Sequence, residues 1–330
     1  MRAWQLHELG EPGDKLAIHD VDPPDGPAAG QITLDVRATG LAFPDVLSCR
    51  GEYQVKTKVP YTPGGETAGV VTAVGEGVDD LAEGDRVMVL GGGLQEQVNV
   101  GAGMTWKIPD GLSFAAAAAL PVNYGTTWFA LHNRAQVQAG ETLLVGGGSG
   151  GVGSSAIQLG KAAGATVIAI AGGDEKVELC RRLGADHVVD YKTAGAGDEA
   201  DLVTQVRELS VGGVDVAYDP VGGDLFHQIR RTMAWDGRLL IIGFVDAIAD
   251  APTNHALLKN YSIVGVHWGA SLMRNPQSVT DQMHNVLALT ETGAVDPLLY
   301  PPFAFEDAAQ ALQDLADRKL YGKAVVEQSE

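Results

Sequence analysis

The 330-residue sequence predicts an α/β protein with a compact β-rich N-terminal part followed by a doubly wound parallel sheet. Three observations predict it. Up to about residue 110, short β-like runs are separated by Gly/Pro turns; from Phe114 the pattern turns helical; beyond Pro121, short apolar β-branched runs alternate with helical segments. That alternation belongs to a parallel sheet covered on both faces.

The elements follow in order. The first part contains "QITLDVRATG", "TAGVVTAVG", "GDRVMVLGGG" and "EQVNVG", and the acids and glycines of "GEGVDDLAEGDRV" read as a solvated turn region. "FAAAAALPVNYGTTWFALHNRA" reads as helix broken once, at Pro121. Next come strand "TLLVG", a helix from Gly151 to about Ala163, strand "TVIAIAG", a helix Asp174 to Leu183 and strand "HVVDY". A helix from about Ala200 to Leu209, strand "VDVAYDPVG", a helix Asp224 to Ala234 and strand "RLLIIGF" continue the pattern. "YSIVGVHWG", two helical segments and "GKAVVEQ" add two more strands, which either finish this sheet or return to the first part.

Composition narrows the function classes. A formal charge of -19 repels nucleic acid and anionic membrane surfaces. No run of 18 apolar residues spans a bilayer, and the start "MRAWQLHELGEPG" has no apolar stretch of signal-peptide length, so a cytoplasmic protein without membrane or nucleic-acid partners is expected. Cys49 and Cys180 are the only cysteines and form neither a disulfide framework nor a cysteine-rich zinc site. The 43 glycines have no repeating period and point to tight turns in a folded chain.

One glycine cluster carries chemistry. In "TLLVGGGSGGVGSSAIQLGKAAGA", Gly148, Gly150 and Gly153 satisfy G-x-G-x-x-G directly after a buried strand and at the opening of a helix. In this reading Gly148 permits the tight turn, Gly150 admits a pyrophosphate to the backbone, and Gly153 lets the helix pack on the strand. The amides of the new helix at Gly151, Val152 and Gly153, with its dipole, then face an anion. A dinucleotide site is expected, not a flexible linker.

The next strand decides which dinucleotide. An NAD-preferring site places Asp or Glu at its end, to bond the ribose 2'-hydroxyl. Here "IAIAGGDEK" ends at Ala171-Gly172, and Asp174 should already belong to the following helix. Gly172 in place of an acid, with Lys176 and Tyr191 of "DYK" in reach of a 2'-phosphate, favours NADPH. Taken alone, Lys176 also reads as an ordinary exposed helix lysine.

Together with "ATGLAFPDVLSCRGEY", "PYTPGGETAGVVTAVGEGV", "GDRVMV", "LPVNYGTTWFAL", "LGADHVVDY", "AYDPVGG", "GRLLIIGF", "LLKNYSIVGVHWG" and "GKAVV", the glycine turn gives the chain a resemblance over nearly its whole length. It resembles the zinc-independent quinone oxidoreductase (zeta-crystallin-like) group of the medium-chain dehydrogenase/reductase superfamily. The resemblance implies a GroES-like β-barrel catalytic domain over 1–120 and a Rossmann NADPH-binding domain over 121–261. A segment 262–330 would complete the sheet and return to the first domain, with the active cleft between the two domains. Zinc-dependent relatives carry Cys after "ATG" and His before the Glu of "GHE"; here Ala42 and Gly65 stand there, and the four-cysteine lobe is missing. Those positions offer zinc neither sulfur nor imidazole, so no metal is expected.

Without a Lewis acid, the fitting acceptor is one whose reduction leaves a delocalised anion, a quinone or an α,β-unsaturated carbonyl, with the protein orienting the hydride donor and excluding water. The resemblance implies that Thr126 touches the nicotinamide end and that Gly243, Phe244 and the "VHWG" stretch with His267 and Trp268 wall it. Tyr53 becomes the candidate hydrogen-bond donor to a developing oxyanion, or a half-buried aromatic capping a loop. Phe43 and Asp45 keep the family's "N-F-x-D" pattern, but Ala42 replaces its Asn; Asp45 orients a neighbour or caps a helix beginning after Pro44, the structural role being preferred. Arg318 and Lys323 fall where relatives sometimes meet the 2'-phosphate edge, although a solvated helix would also carry such residues.

The leading expectation is an NADPH-dependent quinone reductase. An enoyl- or acryloyl-CoA reductase on the same scaffold, or a non-enzymatic NADPH-binding protein, is the alternative. "YSIVGVHWG" reads as an edge strand long and apolar enough to pair with its twin in a homodimer.

Overall fold

A computed structural model describes residues 1–196 and 200–328. The chain divides into two compact units, one of Met1–Val122, Met283–Glu291 and Leu299–Glu330, the other of Asn123–Gln282 and Thr292–Leu298.

In the first unit, β1 (Arg2–Leu6) pairs antiparallel with β2 (Leu16–Asp20) around the short α1 (Pro12–Lys15). The eleven-residue β3 (Gln31–Leu41) is the spine, antiparallel to both β4 (Glu66–Val74) and β6 (Gln97–Gly101). From β4 the sheet continues through β5 (Arg86–Leu90) to β7 (Thr105–Lys107). Ile32, Leu34 and Val36 meet Val71, Val87, Val89 and Val100 in one core, because period-2 alternation sends these side chains to the same face. Helix α2 (Phe43–Arg50) follows β3, and α3 (Phe114–Ala118) is capped by the Ser113 hydroxyl accepting from the Ala116 amide at 3.1 Å.

Pro121 does not break a running helix. α3 stops at Ala118, α4 (Pro121–Trp128) begins at the proline, and Phe129–Ala135 continues in π-helical turns. A proline at the first helical position loses no hydrogen bond and arrives with φ already helical.

The second unit holds six parallel strands: β8 (Thr142–Val145), β9 (Thr166–Ala171), β10 (His187–Asp190), β11 (Val214–Asp219), β12 (Met233–Ile241) and β13 (Ser262–Gly265). Their order is β10-β9-β8-β11-β12-β13. The order reverses between β8 and β11, and ligands of doubly wound sheets bind outside the strand ends at such a switch point. Helices α5 (Gly151–Ala162), α6 (Asp174–Arg182), α7 (Leu202–Leu209), α8 (Gly223–Thr232) and α9 (Thr253–Lys259) supply the crossovers. α10 (Trp268–Arg274) and α11 (Pro276–Glu291) follow.

Two expectations change here. α8 ends at Thr232, two residues early, because Met233 already pairs with Val214 as β12. The edge strand of "YSIVGVHWG" is short: β13 has four residues, and Trp268 opens α10 instead of extending it. The last two strands also part company, β13 finishing the parallel sheet while β15 (Ala324–Glu327), after β14 (Phe303–Ala304) and α12 (Ala308–Ala316), pairs antiparallel with β3. Among the described residues, no helix is long and apolar enough to cross a membrane.

Candidate functional site

The glycine turn hangs between two strands. The Gly146 amide donates to the Tyr218 carbonyl on β11, and the Gly148 amide to the Ile170 carbonyl on β9, both at 2.9 Å. The left-handed residue is Gly147, with φ +59°, so the tight turn lies one residue before the position assigned to it. Gly148 is instead packed closely: a Cβ there would stand 3.0 Å from both Ala169 Cβ and Cys180 Sγ. At Gly153 a Cβ would fall 2.1 Å from the Gly147 carbonyl oxygen, so this glycine lets the helix close on the turn. Intrahelical bonding begins with the Ser154 amide to the Gly150 carbonyl at 2.8 Å, and no side chain caps Gly150. The amides of Gly151, Val152 and Gly153 are thereby left for an anion.

Beyond β9 the backbone reaches Gly172 with no acid at the strand end, and Asp174 is the first residue of α6. The ring of Tyr191 occupies the space over Gly172, since a Cβ there would lie 2.5 Å from its Cε1 and Cζ. Lys176 is half-buried in the first turn of α6, and exposed Lys192 brings Nζ within 3.6 Å of where a Gly173 Cβ would stand. Gly172 and Tyr191 thus meet at one strand end, with Lys192 beside Gly173 as an added cation and Lys176 in the first turn of the helix that follows. An open groove of about 780 Å³ outside β10 is lined by Asp174, Glu178, Asp190 and Glu208 with Arg181.

The residues assigned to the nicotinamide end separate by burial. Thr126 is half-buried, whereas its neighbour Thr127 is fully buried and bonds Ser155 Oγ at 2.7 Å and the Tyr218 hydroxyl at 2.9 Å, tying α4 to α5 and β11. Gly243 and Phe244, just past β12, line an apolar cavity of about 230 Å³ with Gly222, Ile248 and Ile263. Trp268 turns inward: its ring lies on Gly125, where a Cβ would be 2.4 Å away, and its indole donates to Gln282 Oε1 at 3.2 Å. Of the "VHWG" pair, only His267 is exposed.

In the first unit, α2 begins at Phe43, itself half-buried, and not after Pro44. Asp45 is buried, with Oδ2 accepting from the Ala42 amide at 2.8 Å and Oδ1 from the Gly64 amide at 3.0 Å. Burial holds its carboxyl above the usual range, against the pull of those amides and of the Lys323 ammonium. Both its oxygens are therefore engaged in joining the Ala42 and Gly64–Gly65 segments. Burial, and then the charge of Asp45, push the Tyr53 phenol up, so it stays protonated at neutral pH; its side chain is half-buried and bonds no described residue. Lys323 is withdrawn from any phosphate edge, because its ammonium pairs with Glu66 in the interior. Glu66 Oε2 also accepts from the Val122 amide at 2.7 Å. Arg318 is exposed at the end of α12, in the left-handed region with φ +59°. Among the described residues no group of three or more His, Cys, Asp or Glu could hold a metal ion.

Comparison with known proteins supplies the family. The profile described as "Alcohol dehydrogenase GroES-like domain" matches residues 28–110, and "Zinc-binding dehydrogenase" matches 151–289. Quinone oxidoreductase-like protein 2 of Bos taurus is 36% identical over 98% of this chain and 92% of its own length. The chain belongs to the zinc-independent quinone oxidoreductase-like group of the medium-chain dehydrogenase/reductase superfamily.

Solved structures agree with this oxidoreductase in fold. A probable oxidoreductase from Mycobacterium abscessus matches with TM-score 0.87 at 37% identity, covering 99% of this chain and 98% of that one. Escherichia coli quinone oxidoreductase complexed with NADPH matches with TM-score 0.86 at 25% identity, covering 99% and 100%. The N-terminal domain of this oxidoreductase is accordingly GroES-like and its parallel sheet Rossmann-like.

Sequence reasoning missed Lys192 and Asp190 at the strand end and the Thr127–Ser155–Tyr218 hydroxyl chain. Lys192 stood in plain view beside Tyr191 in "DYK". Nothing local marks the hydroxyl chain, which joins residues from three elements.

Proposed function

We propose that this oxidoreductase is an NADPH-dependent, zinc-independent reductase of quinones or related α,β-unsaturated carbonyls. The observation that carries the cofactor reading is the end of β9: glycine stands at 172 in place of an acid, the Tyr191 ring lies over it, and Lys192 Nζ lies beside Gly173. When bound, NADPH supplies the hydride. The turn from Gly147 to Gly153 fits a pyrophosphate, because each Cβ that would block it is missing and the first amides of α5 are unspent. At the strand end, Lys176, Lys192 and the Tyr191 hydroxyl hold the 2'-phosphate by charge and hydrogen bonding, with Arg318 a further candidate. Thr126, Gly243, Phe244 and His267 orient the nicotinamide end, with buried Trp268 fixing the backbone of Gly125 beneath Thr126.

The carbonyl chemistry falls to Tyr53, whose neutral phenol donates a hydrogen bond to the oxygen on which charge develops. Ala42 and Gly65 supply no metal donor, so the acceptor must delocalise its own charge, as quinones and enones do. Phe43 and Asp45 shape that corner, Asp45 through the backbone.

The assay follows loss of nicotinamide absorbance with NADPH and with NADH against a naphthoquinone, an ortho-quinone, an enone and an enoyl-CoA. Turnover of a quinone or enone with NADPH is expected. Tight NADPH binding without turnover of any acceptor overturns the enzyme reading, and equal use of NADH overturns the phosphate reading. We also propose a homodimer through β13, which is the sheet edge and carries exposed Ile263, with exposed Ile248 lining the same cavity and exposed Leu257 and Leu258 on the preceding α9. A monomer in sedimentation rejects it. The two buried, unpaired cysteines suit a reducing compartment such as the cytoplasm.

A further inference from the structure

The NADPH reading attributes selectivity to a missing acid at residue 172. The local packing supports a more specific device. A Cβ on Gly172 would stand 2.5 Å from Cε1 and Cζ of Tyr191 and 2.7 Å from its hydroxyl oxygen, so the ring fills the volume that any side chain at 172 would take. Tyr191 is 56% exposed, so its side chain is open to a ligand and is not part of the core. Its backbone is fastened on both sides. The Tyr191 amide donates to the Ala171 carbonyl at 3.0 Å, and Asp190 Oδ1 accepts from both the Gly173 amide at 3.0 Å and the Lys192 amide at 2.9 Å. One carboxylate oxygen therefore clamps the turn after β9 to the turn after β10 and sets where both Tyr191 and Lys192 stand.

We infer that Gly172 and Tyr191 act as one specificity unit, the glycine admitting the ring that meets the 2'-phosphate, and that Asp190 is the positioning residue holding this ring and Lys192 in place. The inference rests on the NADPH reading but differs from it in what a neutral side chain would do. If only the lack of an acid matters, Gly172→Ala is silent, because it adds no charge. If the ring must lie on the glycine, the methyl group displaces it and selectivity falls.

The test measures dissociation constants for NADPH and NADH, with KM values for each, in the full-length wild type, Gly172→Ala, Tyr191→Ala, the double variant, Asp190→Ala and Asp190→Asn. Gly172→Ala and Tyr191→Ala should each weaken NADPH about five- to tenfold while leaving NADH within about twofold, the scale of one lost charge-assisted hydrogen bond. The double variant should be no worse than either single one, since both remove the same contact. Asp190→Ala should weaken NADPH alone, and Asp190→Asn should restore it, because an amide oxygen can accept the same two bonds. Unchanged NADPH affinity in Gly172→Ala, additive losses in the double variant, or equal losses for both cofactors in Asp190→Ala would each overturn the inference. A wild type that does not distinguish the cofactors instead defeats the NADPH reading. Coupling between Gly172 and Tyr191 is then read from the thermal midpoints of the same four proteins, where additivity rejects the unit and non-additivity supports it.

Discussion

Gly65 and Gly172 both stand where relatives carry a functional side chain, one a zinc-binding histidine and the other an NAD-selecting acid, yet their surroundings differ. A Cβ on Gly65 would meet only Asp45 Oδ1, at 4.0 Å, whereas one on Gly172 would strike the Tyr191 ring at 2.5 Å. At Gly65 a side chain is missing and the space stays open. At Gly172 the space has been taken over by another residue. A missing side chain therefore says what a site has lost, but only the neighbouring volume says what it has acquired.

That contrast can be broken or sharpened experimentally. The largest effect is expected directly beneath the open corner, where Glu66 and Lys323 are paired with almost no exposure. Lys323→Met leaves a buried carboxylate unpaired and should cost about 3–5 kcal/mol in denaturant unfolding at neutral pH. Burial already raises the Glu66 carboxyl, against the pull of Lys323. Folded Glu66 therefore holds its proton more tightly than the unfolded chain does, and more so without Lys323, so the deficit shrinks as the pH falls. A deficit that grows on acidification would contradict this.

Gly153→Ala comes next, as the extreme of a filled space: the obstacle is the Gly147 carbonyl, 2.1 Å from the new Cβ, and backbone cannot swing aside. A loss of about 3 kcal/mol is expected, with NADPH affinity lost in titration. Gly172→Asp should cost less, about 1–2 kcal/mol by thermal unfolding, because the displaced group is a flexible ring. It should weaken NADPH without producing tight NADH binding unless Tyr191 is also shortened. The smallest effect belongs to Gly65→His, expected within about 0.5 kcal/mol of the parent since the space is free. A large loss there would erase the contrast.

Much of the fold was legible because its signals are local. Alternation of short apolar strands with helices announced the parallel sheet, and α5, α6 and α7 lie close to the expected spans. The same locality misled where two neighbours compete for residues. Met233 has the local pattern of a helix end but pairs with β11 as strand, and "VHWG" has the pattern of a strand but Trp268 packs on Gly125 at the start of α10. Asp45 was legible as structural from its place at a helix start, but not its second bond to Gly64, which lies 19 residues away.

By itself the sequence determined that the chain turns tightly from strand into helix at the glycine run, because only a residue without a Cβ fits against the Gly147 carbonyl at Gly153, and it determined that Ala42 and Gly65 give zinc no donor. Tertiary structure alone decided that the Tyr191 ring lies on Gly172, that Lys323 serves Glu66 and no phosphate, and that Trp268 faces inward. The reason is physical. Backbone conformation and donor chemistry belong to a residue and its immediate neighbours, whereas the filling of a volume depends on side chains that only folding brings together.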